Sequence, residues 1–388
     1  MKDKVAIVGM GCSKFGERWD CSMEDLILEA AKECFVDAGI GPKDVDALFF
    51  SCASVFGASA PAVECLKLDT IPAFHNENWC ASGHIALIEA SMAVASGAYK
   101  TALVVGVEKL KDSGSGGLGV GRGNSPVMET RRTAPGSFGL IGLRYFEEYG
   151  LTYEEGRKTL ARIAVKNHSN GFLTPKAHFH KLITIEDVLN APIIAAPLGL
   201  FDCCGTSDGA ACAIITRSDT AKSLRADPIY VKGFGVAHGL MPHFNPGFDW
   251  LSFPALVRSS QSAYKMAGIS NPRKELDLAE VHDCFTTTEL AIYEDFDLCD
   301  RGAAPKLLEE GYFDLSGQMP VNTDGGLKCF GHPVGASGIR MTYEVYKQLQ
   351  GNVDNPKRQL KDVHLGLSHT FGGPPQLSAV LITGNELG

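Results

Sequence analysis

The chain has 388 residues, enough for two or three domains. Hydrophobic residues make up 45% and charged residues 21%, a globular composition that excludes disorder, collagen-like repeats and coiled coil as the main organisation. Lys and Arg number 36 against 45 Asp and Glu, a net charge of −9, so neither nucleic acid nor an anionic membrane surface is the expected partner.

No window approaches the ~18 consecutive apolar residues needed to span a bilayer. Val5 to Val8 read as a strand that runs into a turn at Gly9 and Gly11, without the apolar core and cleavage site of a signal peptide. The 12 cysteines are therefore expected as thiols in a reducing compartment, the cytoplasm. Further along, Met23 to Asp37 carries Leu26, Ile27, Ala30, Ala31, Cys34 and Phe35 at helical spacing and exits at Gly39. Strand-like runs at 45–50 and 101–107 flank a helical stretch from about Ser82 to Ser96.

That order returns later in the chain, with strand 230–235, helix 254–266 and strand 278–281. Ala38-Gly39-Ile40 is matched by Ala267-Gly268-Ile269, and Ala81-Ser82-Gly83 by Ala336-Ser337-Gly338. The shared order predicts a duplicated α/β half. Between the copies a Gly/Ser-rich tract, Asp112 to Gly123, leads into an insertion with helices at 145–149 and 154–167. The insertion carries Arg131, Arg132, Arg157, Lys158, Arg162, Lys166, Lys176 and Lys181, the local basic patch that a polyanionic ligand would need.

Four segments offer chemistry. Cys80 stands just before the helix that begins near Ser82, where the positive end of the helix dipole would lower its pKa. His332 sits among Gly325, Gly326, Gly331, Gly335 and Gly338, a glycine density that permits close backbone approach around an imidazole base or donor. His282-Asp283-Cys284-Phe285 ends a strand and can make a proton-transfer group or a metal half-site. Ser368 to Pro375 reads as a turn between two strands, with a glycine N–H free to face a site. The chain has no C-x-x-C pair, and Cys203-Cys204 and His178-x-His180 are poor zinc templates, so no metal is expected.

In this order the four segments resemble the thiolase family over essentially the whole chain. Cys80-Ala81-Ser82 matches its C-x-S motif, Gly331-His332-Pro333 its G-H-P motif, and Ser207-Asp208-Gly209 the segment that closes its loop domain. His282-Asp283-Cys284-Phe285 is similar to the H-D-C-F motif of sterol-carrier-protein-type and archaeal acetoacetyl-CoA thiolases, where most bacterial members carry N-E-A-F. Thr370-Phe371-Gly372 stands where a C-x-G motif would hold a second catalytic cysteine, and Cys284 supplies a thiol instead.

The resemblance implies a layered αβαβα core of two duplicated halves, 1–111 and 226–388, with part of 200–225 returning to the first. A coenzyme A-binding loop domain would occupy 112–216, with Arg131, Arg132 and Lys176 as candidate CoA contacts. It implies a 3-oxoacyl-CoA thiolase working through an acyl-Cys80 intermediate by a ping-pong route. His332 would activate Cys80 and Cys284 would be the acid/base. His282 would join His332 in one oxyanion hole, and the N–H groups of Cys80 and Gly372 would form another. CoA is substrate, and no metal or redox cofactor is implied. A homodimer or homotetramer, and a small zinc-ribbon/OB-fold partner, are the implied assemblies. Acetoacetyl-CoA and a bulky benzoylsuccinyl-CoA-like thioester both fit the sequence, with a ketoacyl-synthase-type enzyme or a CoA-binding scaffold as rival readings.

Overall fold

A computed structural model describes the whole chain except residues 55–56, 114–132, 241–244, 246 and 374–375. Arg131, Arg132 and the Gly/Ser tract from Gly114 thus lie outside the described residues. The first half runs β1 (Val5–Cys12), α1 (Met23–Ala38), β2 (Ala47–Ser51), α2 (Ala60–Leu66), β3 (Ala73–Asn76), α3 (Ser82–Ala95) and β4 (Thr101–Lys109). An insertion follows with α4 (Ala134–Glu148), α5 (Tyr153–Phe172), α6 (Ile185–Asn190) and the hairpin of β5 (Ile193–Ala195) and β6 (Leu198–Gly199). β7 (Asp208–Arg217) then returns to the sheet between β4 and β1.

After α7 (Ser218–Leu224) come β8 (Ile229–His238), α8 (Pro254–Ala267), α9 (Pro272–Glu275), β9 (Leu278–Glu280) and α10 (Thr286–Asp295). The chain closes with α11 (Ala304–Glu309), α12 (Gly326–Phe330), α13 (Val334–Leu349), β10 (Leu365–Gly372) and β11 (Leu377–Gly384).

The strands align as β3-β2-β4-β7-β1-β8-β11-β10-β9. β2 is parallel to β3 and β4, and β7 is antiparallel to β4 and β1. The far side repeats this pattern. β9 is parallel to β10, β11 is antiparallel to β10 and β8, and Val321 bridges Ala279 where β3 would stand. The pairs Ala6–Tyr230 and Ile7–Ile229 join the halves. The duplication predicted from the matched phrases is thus present in the topology. Gly39 (φ 69°) and Gly268 (φ 83°) terminate the equivalent helices α1 and α8 in the left-handed conformation that glycine adopts freely.

Strand burial explains the layers. In β4, Leu103, Val105 and Val107 pack with Leu26 and Ile27 of α1, while Ala102 and Val104 pack with Ile85 of α3 and Ile339 of α13. In β11, Val380 and Ile382 face Leu256 and Ala263 of α8, while Ala379 and Leu381 face the α3/α13 side. Both faces of each half are covered, so α3 and α13 form the middle layer of five. Among the described residues no helix is long and apolar enough to cross a membrane.

Three local expectations change. β1 runs through Gly9 and Gly11 rather than turning there, because a Cβ on Gly11 would lie 2.0 Å from Ala30 O of α1. These glycines let a helix press onto the sheet. The helix expected at 145–149 starts at Ala134, since Pro135 occupies its first turn and Thr133 caps Gly136 N–H. The turn expected from Ser368 is strand as far as Gly372.

Gly233 and Gly235 of β8 repeat the arrangement of Gly9 and Gly11, a Cβ at Gly235 falling 1.9 Å from Ser259 O of α8. Gly235→Ala is expected to lower unfolding free energy by about 1–3 kcal/mol. Gly16→Ala, whose nearest neighbour would be 3.9 Å away, is the control. Denaturant midpoints at constant m-value decide the comparison.

Candidate active site

Cys80 lies on a turn that Ser82 holds. Ser82 Oγ accepts from Asn78 N–H at 2.7 Å and donates to Trp79 O at 2.5 Å, and Ser82 N–H donates to Trp79 O at 3.1 Å. Trp79 takes φ 49°, unusual for an aromatic residue, which carries the chain from β3 through the turn into α3. Gly372 at the end of β10 lies over this turn, and a Cβ there would come 3.0 Å from Asn78 O and 3.5 Å from Cys80 N. The N–H that reaches the Cys80 sulfur belongs to the next residue, Gly373, beside Cys80's own.

His332 and His282 complete the constellation. The reactive atoms of Cys80, His282 and His332 all lie within 4.8 Å of one another. The two imidazoles meet edge to face, with centroids 5.1 Å apart. Ser337 Oγ donates its proton to Pro333 O at 2.9 Å, so it accepts from His332 Nδ1 at 2.8 Å. The proton is thereby fixed on Nδ1, and Nε2 is left as a base. Nε2 has no hydrogen-bond partner among the described residues, nor has either nitrogen of His282.

Burial opposes charge at every one of these groups. Cys80 is pushed up to about 12 by desolvation, the N–H groups of Gly373 and Cys80 pulling the other way. Desolvation thus works against the lowering expected from the helix terminus. His332 falls to about 3 through burial and the Arg340 guanidinium. His282 is driven well below its ordinary range by burial and by the neighbouring His332, His369 and His84. At rest the site holds a neutral thiol and two neutral imidazoles.

Cys284 is buried just before α10, its sulfur 3.5 Å from Thr288 Oγ1. Its pKa is raised by burial, then by Cys204 and Cys80. Cys204, whose N–H donates to Cys284 O at 2.8 Å, is a third thiol of the site. Sequence reasoning passed over it as half of a poor zinc template, and its only signal was adjacency to the segment that closes the insertion. Thr370, in place of a catalytic cysteine, hydrogen-bonds His84 Nδ1 at 2.9 Å inside the core.

Asp283 connects the two histidine segments. Its carboxylate accepts from Leu327 N–H at 2.6 Å, Lys328 N–H at 3.1 Å and Asn167 Nδ2 at 2.8 Å. It therefore grips the start of α12, five residues before His332. Gly326 has φ 61°, and a Cβ there would lie 2.3 Å from Asp283 Oδ2. The double glycine exists so that this carboxylate can reach the backbone.

The six described cations of the basic patch expected in the insertion each have a partner within the chain. Arg157 pairs with Asp202 at 2.5 Å, Lys158 with Glu154 at 2.8 Å, Arg162 with Glu309 at 2.8 Å and Lys166 with Glu289 at 2.9 Å. Lys176 is tied to Glu33, Cys12 O and Tyr343, and Lys181 lies 5.3 Å above the Phe201 ring. Each of these charges is used inside the chain.

With a thiol near 12, the thiolate fraction of Cys80 grows about tenfold per pH unit through neutral pH. Iodoacetamide labelling of Cys80, followed by mass spectrometry from pH 7 to 10, is expected to show that slope. A rate independent of pH would mean a resting thiolate–imidazolium pair instead.

Two family models match the chain: Thiolase, N-terminal domain, at residues 5–219, and Thiolase C-terminal domain-like, at residues 243–385. An acetyl-CoA acetyltransferase of Methanothermobacter thermautotrophicus is 35% identical over 390 residues, covering 98% of this chain and 99% of the relative. One of Methanocaldococcus jannaschii is 37% identical over 387 residues, covering 96% of each. A solved structure titled Ltp2-ChsH2(DUF35) aldolase superposes with a TM-score of 0.86 at 24% identity, over 99% of this chain and 98% of that one. With the Cys80, His282 and His332 geometry in place, the chain belongs to the thiolase family and is an acyltransferase of that family.

Proposed function

We propose that the protein interconverts acetoacetyl-CoA plus CoA with two molecules of acetyl-CoA through an acetyl-Cys80 intermediate. The observation that carries this reading is the convergence of Cys80, His282 and His332 within 4.8 Å, backed by the buried thiol of Cys284. Similarity to two acetyl-CoA acetyltransferases over nearly the full chain supports the small acyl group. So does the packing next to the thiols. Phe138 packs at a tilt against Phe285 at 5.0 Å and meets Phe371 at 6.3 Å, and Phe371 meets Phe253 at 5.3 Å. All four are core side chains, 5% exposed or less. These four rings fill space beside the thiols that a bulky acyl group would need.

In the cleavage direction Cys80 Sγ attacks the 3-oxo carbon as its proton passes to His332 Nε2. The oxyanion faces the N–H groups that surround Cys80. Collapse breaks the Cα–Cβ bond, leaving acetyl-Cys80 and the enolate of acetyl-CoA. Cys284 gives its proton to the enolate carbon, while His282 faces the thioester oxygen. A CoA thiol then attacks the acetyl group, its proton restoring Cys284, and His332 returns its own to the departing Cys80 sulfur. CoA is consumed as substrate, and these steps call for no metal or redox cofactor.

The assembly follows from the same reading. β3 is an edge strand with Phe74 43% exposed, and pairing of this edge with a second copy would give the homodimer. A small zinc-ribbon/OB-fold partner is supported by the DUF35 component named in the matched structure. Cytoplasmic residence accords with the free thiols of all 12 cysteines.

Thiolysis assays with acetoacetyl-CoA and an aromatic 3-oxoacyl-CoA test the substrate, with acetoacetyl-CoA expected to be cleaved at least about 100-fold faster in kcat/KM. The reverse preference would overturn the small-acyl reading. Cys284→Ala is expected to lose about 10²–10⁴-fold in both directions while Cys80 still takes up acetyl from acetyl-CoA, as peptide mass spectrometry would show. Asp283→Asn tests the positioning of His332: kcat is expected to fall about 10²-fold with KM little changed and the thermal midpoint retained.

A further inference from the structure

We propose that Cys80, His282 and His332 also form a binding site for a soft divalent cation, for which zinc(II) is the probe, and that its occupancy shuts off acyl transfer. The donor set is one thiol and two imidazoles, with no carboxylate. This is the ligand chemistry of zinc rather than of magnesium or calcium. The three donor atoms lie within 4.8 Å of one another, so a shift of side chains by about an ångström brings them round one tetrahedral ion.

Three features separate this cluster from a chance grouping. Both rings of the pair are fully buried or nearly so, and His332 Nε2 and both His282 nitrogens have no hydrogen-bond partner among the described residues. Unpaired lone pairs in a buried pocket are costly, and a cation satisfies them. His332 is also held as a metal-ligating histidine is held, with Nδ1–H on Ser337 Oγ and Nε2 turned to the site. Finally, the buried Arg340 guanidinium, whose charge reaches His332, is ion-paired with Asp324 and lies 3.6 Å from Glu280, which offsets part of its repulsion of a bound ion.

Binding replaces the Cys80 S–H bond by a sulfur–metal bond and releases the proton to solvent. The two imidazoles and Cys80 displace three waters from the ion, and no oxidation is involved. Three protein ligands leave a fourth position for water or for a substrate sulfur or oxygen. A metal on Cys80 removes the nucleophile and on His332 removes its base. Acylation and metal binding therefore exclude each other, because an acetylated sulfur has no proton to lose. The site rests on geometry and donor chemistry, and acetoacetyl specificity is immaterial to it.

Cobalt(II) titration of the full-length reduced protein, read by the thiolate-to-cobalt absorption band, tests the site, and zinc competition gives the affinity. One ion per chain is expected, with acyl transfer lost in step and restored by a chelator. Cys80→Ser and His282→Ala are each expected to weaken binding by more than the about 10–100-fold typical of losing an outer hydrogen bond to a ligand. Cys65→Ser, on α2 and away from the site, should leave the band unchanged. Prior acetylation of wild-type Cys80, verified on its peptide, should abolish the band without any substitution. A band that survives in Cys80→Ser, or on acetylated protein, would overturn the proposal, as would no band at all. Should Cys80 resist acetylation, the acyl-transfer reading fails, while the Cys80→Ser and His282→Ala arms still judge the metal site.

Discussion

The middle helices α3 and α13 touch through backbone, and the site depends on that contact. A Cβ on Gly83 would lie 2.8 Å from Gly335 O, one on Gly338 2.6 Å from His84 N, and one on Gly335 2.4 Å from Ser51 O. No side chain fits between these segments. The nucleophile precedes α3 by two residues and the base precedes α13 by two, so pressing the helix starts together presses Cys80 and His332 together. Glu108 reinforces the junction, accepting from Ala53 N–H and, at 3.3 Å, from Gly335 N–H. Duplication matters here because each half supplies one helix and one reactive group at an equivalent place.

That closeness has an electrostatic consequence. Burial in so tightly packed a pocket disfavours charge on the reactive groups, raising the Cys80 thiol and lowering the two imidazoles. The Ser337 hydroxyl then decides which nitrogen of His332 is basic. Asp283 decides where His332 stands, by gripping α12 while its own backbone carries His282 on one side and Cys284 on the other. One short motif thus sets three functions at once.

Much of this was legible in the sequence, for identifiable reasons. Cys80 and His332 stood out because each combines a reactive side chain with a helix start or a dense run of glycines, and the His282–Cys284 segment because three reactive side chains cluster at a strand end. The duplication was legible because Gly39 and Gly268 must both adopt positive φ at the ends of equivalent helices. Other features were hidden. Gly9 and Gly11 looked like a turn, since nothing local distinguishes glycine needed for φ from glycine needed for a helix pressed against it. The charges of the insertion looked like a patch because their partners, among them Asp202, Glu289 and Glu309, are distant in sequence. Cys204 was invisible for the same reason. It reaches Cys284 through a backbone bond between segments 80 residues apart.

The helix starts acquire their role because burial favours a neutral resting state. If the dipole of α3 lowered the ground-state thiol, part of its effect would be spent before substrate arrived. With Cys80 protonated at rest, the partial positive charge and the N–H groups of Gly373 and Cys80 act on charge that appears during attack. Cys284 follows the same logic. It stands before α10, with Thr288 Oγ1 at 3.5 Å, so a thiolate formed when it gives up its proton meets a helix N-terminus and a hydroxyl. Thr370 lies in a strand and hydrogen-bonds inward to His84, where a thiolate would find no such support. Moving the second thiol from a strand end to a helix start therefore keeps the site uncharged when idle and places the stabilising dipoles where charge develops.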